Sequence, residues 1–217
     1  KEAERNGILI GCPITYKPSI QEINTNKLAG TSLDDRAGCA VILELAKEIK
    51  KNKNRPTVHL VFSVQEEFNL RGVIPIAKKL QPKIAIQLDI MLASDTPDMK
   101  KEGDIDLGKG PCMSLYSFHG RGTLNGLIPH PNLINLITTV SKKNKINLQR
   151  NATNGLLTDI SYIQHLDEGL ACVNLGFPIR YSHSPNEVCD LRDLMLLKKL
   201  LVVLIKNINT KFKLLRD

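Results

Sequence analysis

Short apolar runs rich in β-branched residues alternate along this chain with stretches of helical periodicity. That alternation restricts it to α/β layer architectures. Residues 57–64 (TVHLVFSV), 83–88 (KIAIQL), 112–118 and 169–175 read as strands, and 7–15 and 27–32 as short strands or extended connections. Residues 35–51 are helical in pattern: Val41, Leu45 and Ile49 recur at i, i+4 and i+8, with Glu44, Lys47, Glu48 and Lys51 on the other side. Residues 70–80 read as a helix interrupted near Pro75, and 131–143 as a helix with proline at its start. Residues 159–165 read as a short helix, and 191–208 as a closing helix with Asp190 at its N-cap. The stretch 94–110 is a polar loop, and no repeat or linker divides the 217 residues.

Composition narrows the function classes. The net charge is +8, which raises the question of a nucleic-acid partner. The basic residues are scattered, however, and the longest cluster, 50–55, reads as a helix end entering a loop. Aromatic residues total 4% with no Trp, so stacking platforms for bases are scarce and no nucleic acid is expected. Apolar runs such as 200–205 fall far short of the roughly 20 residues that span a bilayer, so no membrane is expected either. No basic stretch followed by an apolar one is seen at residue 1, so no secretory signal is expected. Five widely spaced cysteines, with no Cys-x-x-Cys, suit reduced thiols in a cytoplasmic protein.

Four features could carry chemistry. Asp34 and Asp35 open a helix, Glu66 and Glu67 follow a strand, Asp89 ends an apolar strand, and His183 lies in a YSHSP loop after another strand. Singly, each has an ordinary explanation: a helix cap, a solvated turn, a surface turn, a hydrogen-bonded histidine. Together they form a hard-donor set with one imidazole, placed where α/β folds collect their sites. Such a set suits zinc, cobalt or manganese at a hydrolytic centre. Two divalent ions sharing a carboxylate would lie roughly 3.5–4 Å apart and activate one water, with a glutamate beside a ligand glutamate as general base. No nucleophile elbow, phosphate-binding loop or His-Glu-x-x-His competes. The glycine-rich 120–126 stretch reads as a loop of close backbone approach.

These stretches, in their order, resemble family 42 of the metallopeptidases, the glutamyl, deblocking and tetrahedral aminopeptidases. The matching segments are LAGTSLDDRAGCAVILELAK (28–47), VFSVQEEFNLRGV (61–73), QLDI (87–90), LLTDISYI (156–163) and NLGFPIRYSHSPNEV (174–188). The resemblance implies a three-layer α/β/α zinc-peptidase core with a mixed sheet and a small β-rich inserted domain. Residues 1–26 would be the end of that insertion and its return connection, and 27–217 the catalytic core. It implies peptide substrates, homo-oligomers and two divalent metal ions per complete subunit, with zinc expected and cobalt or manganese as alternatives. Asp34 would bridge the two metals, Glu67 and His183 would complete one site, and Asp89 would belong to the other. Glu66 would be the general base, Asp35 would support the ligands from behind, Asp159 would lie near substrate, and the 118–126 loop would wall the substrate pocket.

One departure matters. The family carries a His-x-Asp motif upstream of the insertion, and no histidine precedes His59 here. The resemblance therefore implies the C-terminal part of a longer protein, or a shortened gene, with the Asp34–Asp89 site short of an imidazole. Two other readings stay open: a catalytically impaired homologue acting as an assembly or binding subunit, and an N-acyl-amino-acid deacylase or carboxypeptidase of related fold.

Overall fold

The computed structural model describes residues 1–51, 55–120, 125–209 and 212–215. In chain order its elements are α1 (Glu2–Arg5), β1 (Ile20–Asn24), β2 (Lys27–Gly30), α2 (Leu33–Ile49), α3 (Val73–Leu80), β3 (Ile84–Leu92) and β4 (Cys112–Phe118). They continue with β5 (Gly126–Leu127), α4 (Pro131–Lys143), β6 (Gln149–Asn154), α5 (Ile160–Ile163), β7 (Ala171–Arg180), β8 (Glu187–Asp190) and α6 (Leu191–Asn207).

Among the described residues β7 is the spine of a mixed eight-stranded sheet. It pairs in parallel with β3 along the whole of that strand, from Ile84 with Ala171 to Leu92 with Ile179. It pairs antiparallel with β4 at one place and with β8 at another. The path β1-β2-β8-β7-β4-β5 completes the sheet, with β6 parallel to β4. A strand held on both edges and covered on both faces should be apolar throughout, and β7 is buried from Ala171 to Ile179.

The period of two along β7 sorts its side chains between two layers. Val173, Leu175, Phe177 and Ile179 join the main core with Val41 and Leu45 of α2, Leu133 and Ile137 of α4, and Leu197, Leu200 and Leu204 of α6. Cys172 points the other way, into a smaller cluster with Val73 and Ala77 of α3 and Ile160 and Ile163 of α5. Helices therefore cover both faces of the sheet, the α/β/α arrangement that the resemblance implies. The buried side of α2 is Ala37, Val41, Leu45 and Ile49, spaced by four. Asp190 caps α6 by accepting from the Arg192 backbone N–H at 2.9 Å.

Several elements differ from the sequence reading. Residues 57–64 are extended but belong to no ladder. β-branched side chains favour extended backbone, yet a strand also needs an edge to pair with, and no backbone hydrogen bond joins these residues to another described segment. Residues 7–15 form turns and irregular chain, because nothing covers their side chains: residues 1–25 are exposed throughout. The helix expected from residue 70 starts at Val73, which places Pro75 in its first turn, where no N–H is missed. Asp89 lies within β3 rather than at its end, because pairing with β7 carries the strand on to Leu92. β6 and β8 were not expected: QRNATN is polar, and EVCD is four residues long.

Phe177 is fully buried at the centre of this packing. Phe177→Ala should lower the unfolding free energy by about 3–5 kcal/mol, the usual range for a buried aromatic truncated to alanine. Urea unfolding followed by circular dichroism checks this.

Candidate metal centre

Three chain segments converge at one cleft, and each bends sharply to reach it. Asp34 and Asp35 stand at the start of α2 with non-helical backbone, just after Ser32 at φ 55°. Glu66 and Glu67 follow Gln65 at φ 58°. His183 itself sits at φ 59°, two residues after Tyr181 at φ 60°, in the loop between β7 and β8. Non-glycine residues adopt this left-handed backbone at a cost, and such residues collect at functional sites.

The bends bring Asp34, Glu67 and His183 together. His183 Nε2 lies 3.1 Å from Glu67 Oε2 and 3.4 Å from Asp34 Oδ2. One ligand atom from each residue falls within 4.8 Å of the others, the only such His/Cys/Asp/Glu group among the described residues. Glu67 and His183 face solvent, whereas the Asp34 side chain is buried. Tyr16, Thr31, Ser32, Ser184 and Glu187 also line the cleft. A roomier hollow on the 94–106 loop has a different character: its Asp95 is engaged by Arg180 at 2.7 and 2.8 Å.

Glu187 is the residue that sequence reasoning missed. It is 2% exposed. Its Oε2 accepts from the Asp34 N–H at 2.9 Å, and its Oε1 accepts from the His183 N–H at 2.8 Å. One buried carboxylate thus fixes the backbone of two candidate ligands that are far apart in the chain. Ser182 adds a hydroxyl donor to Asp34 Oδ2 at 3.1 Å. The available signal was an acidic residue opening an apolar strand, Glu187-Val188-Cys189, which must find partners if buried.

Asp89 approaches from the sheet. It is buried, accepting from Gln87 Nε2 at 2.9 Å and from the Ile90 N–H at 2.8 Å. Gln87 Oε1 in turn accepts from the Ile160 N–H at 2.7 Å, which ties α5 to the same spot. Asp89 faces Gly176 across the ladder, and a Cβ on Gly176 would strike the Asp89 backbone oxygen. Asp35 accepts from the Gly38 N–H at 3.1 Å, and a Cβ on Gly38 would collide with that carboxylate. Asp159 is buried, with Ser63 donating to Oδ2 at 2.6 Å and Oδ1 without a hydrogen-bond partner among the described residues. Residues 121–124 of the loop read as a pocket wall, and 52–54 of the basic cluster, lie outside the described residues.

The carboxylates raise one another's proton affinity. Burial, then the charge of Glu67, lifts Asp34 to about 6. Burial and Asp34 lift Asp35 to about 8. Burial, then Glu67, Asp159 and Asp34, lift Glu66 to about 8. Asp89 is held well above the usual range by burial and by Asp35, Glu66 and Asp34. Buried like charges with no cation among them favour protons, and a divalent ion would relieve the same repulsion. The donor set, carboxylate oxygens with one imidazole, fits such an ion.

This α/β/α core matches known proteins. A sequence profile of the M42 glutamyl aminopeptidase family covers residues 1–200, and the chain belongs to that family. SgcX of Escherichia coli (strain K12) is 39% identical over 193 residues, covering 89% of this chain and 52% of SgcX. The structure of the aminopeptidase APDkam598 from the archaeon Desulfurococcus kamchatkensis superposes with a TM-score of 0.88 at 32% identity, over 97% of this chain and 57% of that one. The TET1 peptidase of Pyrococcus horikoshii, which can assemble into a tetrahedron or a large octahedral shell, superposes at 0.75 and 28% identity, over 88% and 54%. The chain spans about half the length of the relatives it matches.

Two outcomes follow from this geometry. Glu187→Ala should weaken zinc binding by about 10–100-fold, the range for a lost partner behind a ligand, as measured by competition with a chromophoric chelator. The metal-free chain should also lose stability as pH rises. Asp34, Asp35 and Glu66 titrate near 6–8 when folded against ordinary carboxylate values of 3.8–4.5, so between about 4 and 8 the folded state binds more protons than the unfolded state. Melting temperature without metal should therefore fall from pH 5 to pH 8, and zinc should restore more at pH 8 than at pH 5. Thermal melts with zinc and with chelator test both signs.

Proposed function

We propose that residues 27–217 form the larger part of the catalytic core of a metal-dependent aminopeptidase, with 1–26 as the end of an inserted β-rich domain. The convergence of Asp34, Glu67 and His183 in an open cleft beside Glu66 carries this reading. Membership of the M42 family supports the peptide substrate class. Two divalent ions, zinc first among them, are the cofactors this reading requires. Asp34, Glu67 and His183 would hold one, and Asp34 with Asp89 would contribute to the other.

Such ions, when bound, would lower the pKa of a water and polarise the scissile carbonyl. The protein's own groups do the rest. Glu66 takes the proton of the attacking water on a carboxylate oxygen and returns it to the amine of the departing peptide. Burial and its acidic neighbours raise its affinity for a proton, and a cation beside Glu67 and Asp34 would ease that repulsion and leave the carboxylate able to accept a proton and return it. Glu187 and Ser182 hold Asp34 in place while this happens. Asp159, beside Glu66 in the field of charges, would face the substrate.

The assembling TET1 relative makes a homo-oligomer the natural quaternary state for this chain as well. The free thiols suit the reducing cytoplasm. Among the described residues no helix is long and apolar enough to cross a membrane.

Elemental mass spectrometry and hydrolysis of short peptides test the assignment together. Glu67→Ala and His183→Ala should lose bound zinc. Glu66→Gln should keep it while hydrolysis falls by about 10²–10⁴-fold, the scale of a lost general base. Hydrolysis unchanged in Glu66→Gln with metal retained refutes the base assignment. Cleavage that requires an acetylated N-terminus, rather than a free one, moves the chain to the deacylases.

A further inference from the structure

The cleft of Asp34, Glu67 and His183 has one lining residue that the metal chemistry leaves unused. Tyr16 borders it and is 60% exposed. The other lining side chains among the described residues carry hydroxyls, carboxylates and one imidazole, so Tyr16 supplies the only large carbon surface there. None of them is Lys or Arg. A tyrosine ring with its hydroxyl in water suits a wall that is wet when the cleft is empty and covered when it is filled.

The chain holds Tyr16 at this place. Upstream, Gly7, Ile8 and Cys12 make their backbone hydrogen bonds to near neighbours in sequence. The segment just after Tyr16 is instead tied to the core. The Thr31 N–H donates to the Ser19 carbonyl at 2.9 Å, and the Ser19 N–H donates to Thr31 Oγ1 at 3.2 Å. The Thr31 hydroxyl lies 3.3 Å from the carbonyl oxygens of Lys17 and of Pro185. One side chain at the end of β2 thus joins the residue after Tyr16 to the loop that carries His183. Gly30 permits the approach, since a Cβ there would lie 2.9 Å from the Ser19 oxygen. Pro18 fixes a backbone angle within the tied segment.

We propose that Tyr16 is a specificity-determining residue of this centre. Its ring receives the side chain of the peptide's N-terminal residue and favours aromatic and branched apolar side chains over small or acidic ones. This rests on the aminopeptidase reading above. An apolar side chain removes carbon surface from water against the ring. An acidic one meets Asp34, Glu67 and Glu187, with no basic partner among the described lining residues. Tyr16 takes no part in the hydrogen bonds by which Glu187 and Ser182 hold Asp34 and His183, so selectivity and metal binding are separable.

The test is calorimetric titration of the zinc-loaded 217-residue chain with the hydroxamates of phenylalanine, alanine and glutamate. The hydroxamate group binds zinc in all three, and only the side chain varies. Phenylalanine hydroxamate should bind about tenfold more tightly than alanine hydroxamate, the scale of one aromatic contact. Glutamate hydroxamate should bind no more tightly than alanine hydroxamate. Tyr16→Ala should reduce the phenylalanine-to-alanine ratio below about twofold, because the ring contact is gone. Its zinc affinity and its affinity for alanine hydroxamate should stay unchanged, and Tyr16→Phe should keep the full ratio. A ratio that survives in Tyr16→Ala, or that is absent from the unsubstituted chain, overturns the inference and leaves the metal centre standing. Tightest binding of glutamate hydroxamate overturns it as well. Weaker zinc binding in Tyr16→Ala makes the residue a support of the metal site and overturns the specificity role. A chain that takes up no zinc overturns the metal-centre reading, and this inference falls with it.

Discussion

The pairing of β3 with β7 is the constraint on which the rest of the structure depends. β7 orders its odd-numbered apolar side chains against α2, α4 and α6 and sends Cys172 toward α3 and α5, so one strand anchors both helical layers. The register that places Leu88 on Leu175 also places Asp89 on Gly176. The close approach of the two strands there needs glycine, because a Cβ at 176 would strike the Asp89 backbone oxygen. At its far end β7 leads into the loop that carries His183, and β8 returns from that loop with Glu187. Hydrophobic packing thus fixes the polar site at long range, and the last few ångströms are set by two hydrogen bonds to a buried carboxylate.

The crowding of acids at this cleft explains why a structural role alone is a poor account of them. Asp34, Asp35 and Glu66 each raise a neighbour's proton affinity by charge, and Asp89, once buried, is raised by all three. A fold selected only for stability would separate such groups or pair them with arginine, as it does at Asp95 with Arg180. Here Asp34 and Glu67 face one imidazole, His183, in the cleft the three share.

Much of this was legible in the sequence. The helical period of 35–51 and the apolar run at 169–175 located α2 and β7, because burial imposes their patterns directly. Asp34, Glu66, Glu67, Asp89 and His183 stood out because charged groups at the ends of apolar runs need an explanation. The structure joins Asp34, Glu67 and His183 and keeps Asp89 deeper, among Gln87 and the Ile90 N–H. Three things were hidden. The 57–64 segment has a strand's composition, but pairing is a property of two edges and cannot be read from one. β6 is polar, and its place comes from its parallel register with β4. Glu187 resembles any acid opening a short strand until the chain folds and brings two N–H groups from distant segments onto it.

The left-handed residues at the cleft have a consequence for how the protein can be altered. Gln65, Tyr181 and His183 hold backbone conformations that glycine adopts freely. Glycine at Gln65 or Tyr181 relieves that strain in the folded state, yet it also widens the range of shapes the loop can take in every state. Consensus or computational stabilisation of this scaffold will be drawn to these positions, and there a more relaxed loop and a well-aimed ligand are competing ends.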